Sequence, residues 1–246
     1  MGRKESKIQR WTSHSLGIIF FALSSLNLIS SPIDHHQERF EDVALKIWEY
    51  AELGYLEEKS SSLLQQELKD SGFTIQSGVA GIPTAFIAEY NNGGPVLGIL
   101  GEFDALPGLS QQNVPFKTAE GLISANGHAC GHHLFGAASA WAVVAIKEWL
   151  EESGTPGTVR FYGTPAEEGG SGKVYIARHG YFDDVDIVLH WHPASGNSAD
   201  AQSSNSNKSG KFTFSGISAH AASAPEKGRS ALDGVEAMNM MVNMMR

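Results

Sequence analysis

Seven consecutive residues, Gly127-His128-Ala129-Cys130-Gly131-His132-His133, hold the only cysteine of the chain and three of its ten histidines. A lone cysteine ordinarily packs as a small hydrophobe, and a lone histidine is ordinarily structural. Set together on a glycine-flexed loop that opens a helix, they read as metal ligands. Thiolate and imidazole both suit zinc or a similar divalent ion, and an irregular loop can aim both Cys130 and His132 inward. Further along stand Glu167 and Glu168. Neighbouring side chains diverge on an extended or turning backbone, so one can bind an ion while the other faces a water. That division places a Lewis acid and a general base within one turn. Adjacent glutamates alone are more often a solvated pair. The following Gly169-Gly170-Ser171-Gly172 favours a crowded site, because glycine lets backbone approach closely.

Three further positions have suitable chemistry. Asp104, in Gly101-Glu102-Phe103-Asp104-Ala105-Leu106-Pro107-Gly108, could bind metal or orient a ligating histidine from behind. His190 and His192 lie two apart, on one face if the segment is a strand. His192 is preferred because it is nearer the strand end and leads into Pro193, whereas His190 reads as buried or flanking. His220 sits among small residues, Ser218-Ala219-His220-Ala221-Ala222, which leave room for a ligand, although an isolated histidine is more often structural.

Elements to position these groups follow from periodicity. Helical spacing of Phe40, Val43, Ala44, Ile47, Trp48 and Ala51 predicts a helix over 34–53, and Leu63, Leu64 and Leu68 a second over 60–70. Strands are expected at 84–90 and 96–101, joined as a hairpin by Asn91-Asn92-Gly93-Gly94. A long helix over 133–151, apolar on most sides, should lie against a sheet. Strands at 158–163 and 185–191, with a helix over 171–179 between them, imply right-handed crossovers and a largely parallel sheet. Asp104, the glutamate pair and His192 each follow a predicted strand, where ligands of such sheets collect. The fold class is therefore α/β, a mostly parallel sheet sandwiched by helices. A polar stretch over 196–210 reads as a linker. Beyond it, a strand over 211–215 and a Met-rich helix over 230–246 look like the start of a smaller α+β domain.

Composition narrows the function classes. With 246 residues, 41% of them hydrophobic and 18% charged, the chain can bury a sizeable core. A net charge of −9 argues against a nucleic-acid partner, whose phosphates would be repelled. One cysteine excludes an intrachain disulfide framework. At the amino terminus, Arg3, Lys4, Lys7 and Arg10 precede an apolar run over 16–23 and a Ser-rich stretch to Ser31. That order reads as a signal peptide over 1–31, and export is favoured over a cytoplasmic location, although Glu5 and the lack of a clean cleavage site count against it. The run is short for a spanning helix, which needs ~20 apolar residues, so no stable membrane anchor is expected.

Taken in order, the stretches around Trp48-Glu49-Tyr50-Ala51-Glu52-Leu53-Gly54, Gly81-Ile82-Pro83-Thr84, 100–110, 127–136, 163–170, Trp191-His192-Pro193 and 215–233 resemble the dinuclear-metal amidohydrolase and peptidase family. That family includes aminoacylases, indole-acetyl-amino-acid hydrolases and aminobenzoyl-glutamate hydrolases, and the look is nearest to the large-subunit type of the last. The resemblance runs from about Phe40 to Arg246. It implies a catalytic domain over 34–207 and the start of a lid or dimerisation domain over 208–246. It implies two divalent metal ions, zinc or manganese, with Cys130, His132, Glu168 and His192 as ligands and Glu167 as general base. Asp104 would stand behind the ligands. His220 matches a lid histidine that helps polarise the scissile carbonyl, often across a homodimer. The implied activity is hydrolysis of an amide bond joining an acyl or aryl group to an amino acid, in a small amide or short peptide. Two departures stand out. His133 occupies a position where relatives commonly carry Asn or Asp. A further histidine ligand expected in a carboxy-terminal half is not among these residues, so the chain is expected to be an incomplete enzyme, inactive alone. The alternative is a non-catalytic metal- or ligand-binding module on the same scaffold.

Overall fold

The computed structural model describes residues 34–116, 125–199, 203, 205–206 and 208–246. The expected signal segment, 1–31, lies outside the described residues. The chain forms two units, one running to Gly196 and one spanning Asn197–Arg246.

In the first unit, α1 (Gln37–Tyr50) buries Phe40, Val43, Ala44 and Ile47 along one stripe. It stops before Leu53 because Ala51 turns left-handed and its amide closes on the Ile47 carbonyl. α2 (Glu58–Asp70) starts earlier than its apolar spacing suggested. The Glu52 carboxylate accepts the Lys59 and Ser60 amides, supplying partners that first-turn N–H groups lack within the helix.

Five strands follow: β1 (Thr74–Ser77), β2 (Phe86–Asn91), β3 (Val96–Gly101), β4 (Thr158–Gly163) and β5 (Ile187–Leu189). Their order in the sheet is β1-β2-β4-β3-β5. β3 pairs in parallel with β4 and β5, while β2 runs antiparallel to β1 and β4. The α/β class stands, with a mixed sheet in place of a mostly parallel one. The expected hairpin of 84–90 with 96–101 does not form, because β4 inserts between β2 and β3. β4 buries Val159 and Phe161 toward one face and Tyr162 toward the other, and a strand buried on both faces belongs at the sheet centre.

Helices α1, α2 and α3 (His132–Ser153) cover one face, over Phe86, Ile99, Phe103, Val159 and Phe161. The other face carries Ile87, Leu100 and Tyr162 beneath α4 (Gly172–Arg178) and the turn at Val79. A Cβ at Gly136 would lie 2.6 Å from the Glu102 carbonyl oxygen, so glycine there lets α3 settle on the outgoing end of β3. The approach sets His132, at the helix start, over Asp104.

In the second unit, Ile217 and Arg229 exchange two backbone hydrogen bonds of 2.9 Å. The Ser230 hydroxyl accepts the Asp233 amide and caps α5 (Ala231–Asn243). The expected strand over 211–215 is not formed. Among the described residues no neighbouring strand meets it, and a lone strand leaves its backbone groups unpaired. No residue of α5 is buried. Among the described residues, no helix is long and apolar enough to cross a membrane.

Candidate metal centre

β3 and β4 are parallel, with Gly101 beside Gly163, so both strands end on the same side of the sheet. One delivers Glu102 and Asp104 there, and the other Glu167 and Glu168. The Thr164 amide donates to the Gly101 carbonyl at 2.9 Å and holds the two exits together.

His132 enters from α3 with no exposure to solvent. Its Nδ1 lies 2.9 Å from Asp104 Oδ1 and 3.1 Å from the Asp104 carbonyl. Both are acceptors, so Nδ1 donates and Nε2 is the atom left for an ion. Nε2 stands 2.9 Å from Glu102 Oε2 and 3.9 Å from Glu167 Oε2. The first contact is short, yet its geometry is not that of a hydrogen bond, and both atoms are buried without a partner. Glu168 Oε1 is buried without a partner as well. Two donor atoms side by side, neither bonded to the other, are arranged as ligands of a common cation would be.

Cys130 Sγ lies 3.3 Å from His192 Nε2. The donor atoms of Cys130, His132 and His192 fall within 4.8 Å of one another, as do those of Glu102, His132 and Glu167. His132 belongs to both groups. Four carboxylates therefore gather around one imidazole, and Lys173, in contact with Glu102 Oε1, is the fixed cation among them.

The titration behaviour reflects that imbalance. Burial opposes charge on His132, but Asp104 and Glu102 overcome it and raise its pKa to about 10. Burial pushes the Cys130 thiol to about 11, and the Glu168 and Glu167 carboxylates add to the rise. Burial would also lift Glu102, yet contacts with His132, His190 and Lys173 hold it well below the usual carboxylate range. Glu167 is raised, by burial first and then by Glu102. The donor set thus attracts positive charge strongly, which fits a divalent ion.

Of the positions singled out in the sequence, Cys130, His132, Glu167, Glu168, His192 and Asp104 come together here. The Glu168 amide donates to Asp104 Oδ2 at 2.9 Å, which ties the glutamate pair to the aspartate behind His132. His220 belongs to the second unit, where it is exposed and its Nδ1 accepts the Ala222 amide at 3.2 Å. His133 stands apart from the donor groups, its ring centroid 5.1 Å from that of His128. Burial lowers both histidines to about 4, so they are neutral packing groups.

Two further contributors emerge only from the folded arrangement. β5 ends at Leu189, and past it the chain carries His190 to 3.3 Å from Glu102 Oε1 and His192 to Cys130. Glu102 is 2% exposed and reaches both His132 and Lys173. A signal for Glu102 exists in the sequence, since a two-residue period puts it on the same face as Asp104.

Residues 98–222 match the peptidase family M20/M25/M40. The chain is 45% identical over 215 residues to one of the two subunits of the p-aminobenzoyl-glutamate hydrolase of Escherichia coli K12, an alignment covering 87% of this chain and 45% of that protein. It is 33% identical over 218 residues to the human Xaa-Arg dipeptidase, covering 82% and 46%. Among solved structures, YXEP of Bacillus subtilis, a dinuclear metal-binding peptidase of family M20, aligns with a TM-score of 0.54 at 26% identity over 63% of this chain and 42% of that one. The chain spans about half the length of the curated relatives it matches.

Proposed function

The chain belongs to the M20/M25/M40 peptidase family, and on that premise we propose that it supplies the metal-binding part of a hydrolase. The bond cleaved is an amide between an acyl or aryl group and an amino acid, in the manner of aminobenzoyl-glutamate. The observation that carries this reading is the pair of buried, unbonded donors His132 Nε2 and Glu102 Oε2, beside Cys130, His192 and Glu168.

Cys130, His132, Glu168 and His192 would hold two divalent ions, with Glu102 as an added donor. Bound there, such ions would polarise the scissile carbonyl and ease deprotonation of water. A thiolate favours zinc and the carboxylates suit manganese, so the metal taken follows supply as much as affinity. Asp104 fixes the imidazole of His132 by accepting from Nδ1, which keeps Nε2 aimed inward. Glu167 has its side chain partly open to solvent and its carboxyl raised by burial and Glu102. It takes the proton from the attacking water and returns it to the leaving amine. His220 would act on the carbonyl from the second unit.

Two further properties belong to the same proposal. Pairing with a second copy through 208–246 is supported by the exposed Leu232, Val235, Met240 and Met241 of α5, and light scattering tests it. Export is supported by the basic and then apolar start of the chain, and cell fractionation tests it.

The activity is tested with the chain extended to the length of its relatives, loaded with zinc or manganese. At least one of a panel of aminobenzoyl-glutamate, N-acyl-amino acids and dipeptides is expected to be hydrolysed. No turnover of any member with either metal overturns the proposal.

A further inference from the structure

Glu57 is a carboxylate with no exposure to solvent, outside the metal centre. Its Oε1 accepts the Ala166 amide at 2.7 Å and its Oε2 accepts the Thr84 hydroxyl at 3.1 Å. Among the described residues no cationic side chain touches it. A buried carboxylate without a counter-charge is unfavourable for folding, and a glutamine could satisfy the same two partners. What the charge adds is a stronger hydrogen bond to one particular amide.

That amide belongs to the residue immediately before Glu167 and Glu168. Ala166 is buried and has φ +56, the left-handed region that strains a side chain bearing a Cβ. Its carbonyl accepts the Gly170 and Ser171 amides at 2.9 and 2.7 Å, closing 166–171 into a tight loop around the two glutamates. The residues leading to Glu57 grip the same loop. A Cβ at Gly54 would lie 2.9 Å from Ala166 Cβ, so only glycine admits this contact. The Tyr55 hydroxyl donates to the Gly170 carbonyl at 2.5 Å. The strap also holds the other acid, because the Ala105 amide beside Asp104 donates to the Glu52 carbonyl at 2.8 Å.

We propose that Glu57 is a positioning residue that aims Glu167 and Glu168 by holding the Ala166 amide. This rests on the amide-hydrolase reading for what the two glutamates do, although the metal-binding part of its test stands without substrate. Glu57 touches neither ion nor substrate and acts only through the loop.

The test compares Glu57→Gln, Glu57→Leu and wild type for cobalt(II) affinity, the thiolate–cobalt absorption band, thermal midpoint, and kcat and KM. Glu57→Leu is expected to weaken cobalt binding by about tenfold, as loss of a ligand's supporting partner does. It should lower kcat by about 10- to 100-fold with KM little changed, the pattern of misplaced catalytic groups. Glu57→Gln, which can keep both hydrogen bonds, should restore most of each value. A Glu57→Leu protein that loses only thermal stability, with wild-type cobalt affinity and kcat, overturns the inference. So does a Gln variant as impaired as the Leu variant. If Glu57→Leu does not fold, Thr84→Val, which keeps the volume and frees the second Glu57 oxygen, takes its place. An unchanged kcat and cobalt affinity in that variant overturn the inference equally. Wild type that binds cobalt but hydrolyses no substrate refutes the amide-hydrolase reading instead, and the cobalt affinities still decide the role of Glu57.

Discussion

Arg160, in the middle of β4, donates to Glu89 on β2 and, through both terminal nitrogens, to Asp184 at 2.7 and 2.8 Å. Past the end of the same strand, Glu167 and Glu168 join Glu102 and Asp104 around His132, with Lys173 as the fixed cation. The first group is complete: each carboxylate has a guanidinium N–H, and Arg160 is held well above its usual range by Asp184 despite burial. The second is incomplete, leaving Glu102 Oε2, His132 Nε2 and Glu168 Oε1 buried without partners. Buried polar atoms are almost always satisfied. Closed ion pairs on a sheet describe structure, and an open, over-acidic cluster at the strand ends describes a place for a cation.

Substitutions in the two clusters should therefore behave differently, and the largest effects belong to the open one. Glu168→Gln is expected to abolish tight metal binding. Glu167→Gln should keep the metal and lower hydrolysis by ~10²-fold or more, the scale of a lost general base. Metal analysis and turnover on the two variants check this, and the opposite pattern would exchange the roles of the glutamates. That outcome is a live one, since Glu167 is the member of the pair grouped with His132 and Glu102.

Asp104→Asn should weaken metal binding by ~10- to 100-fold while leaving the ligands in place. Competition with a chelator measures it, and an unchanged affinity would make Asp104 a packing residue. A pH dependence follows from the same cluster. Cys130, with its thiol pushed to about 11, and His132, raised to about 10, hold protons near neutrality and must release them to ligate. Metal affinity should rise with pH below these values, by up to about tenfold per pH unit for each proton displaced. Calorimetry in buffers of different ionisation heat counts the protons released.

The smallest effect belongs to the closed cluster. Arg160→Leu should cost about 1 kcal/mol of stability, since the hydrogen bonds to Glu89 are partly shielded while the exposed Asp184 contributes little. Its metal affinity should match wild type. A large loss of metal in this variant would break the distinction between the two clusters.

Much of the centre is legible in the sequence because its residues are scarce and chemically distinctive. One cysteine among histidines on a glycine-rich loop has few structural explanations, and carboxylates after strands point to the sheet end. Helices α1 to α4 are legible from apolar spacing alone. What escapes depends on partners distant in the chain. β1, Thr-Ile-Gln-Ser, is too short and polar to announce itself and exists by pairing with β2. The turn after Asn91 suggests a hairpin, whereas the pairing partner of β2 comes from β4, more than sixty residues on. Glu102 is overshadowed by Asp104, although both leave β3 on one face. The segment over 211–215 has strand composition, but a strand is made by its neighbour.

The most direct measurement is equilibrium dialysis of the whole chain and of Cys130→Ala against zinc and manganese, with bound metal quantified by mass spectrometry. Wild type is predicted to retain at least one divalent ion per chain, and Cys130→Ala to lose tight binding. A wild-type chain with no metal above background, or a Cys130→Ala chain that binds as much and as tightly, would contradict the account.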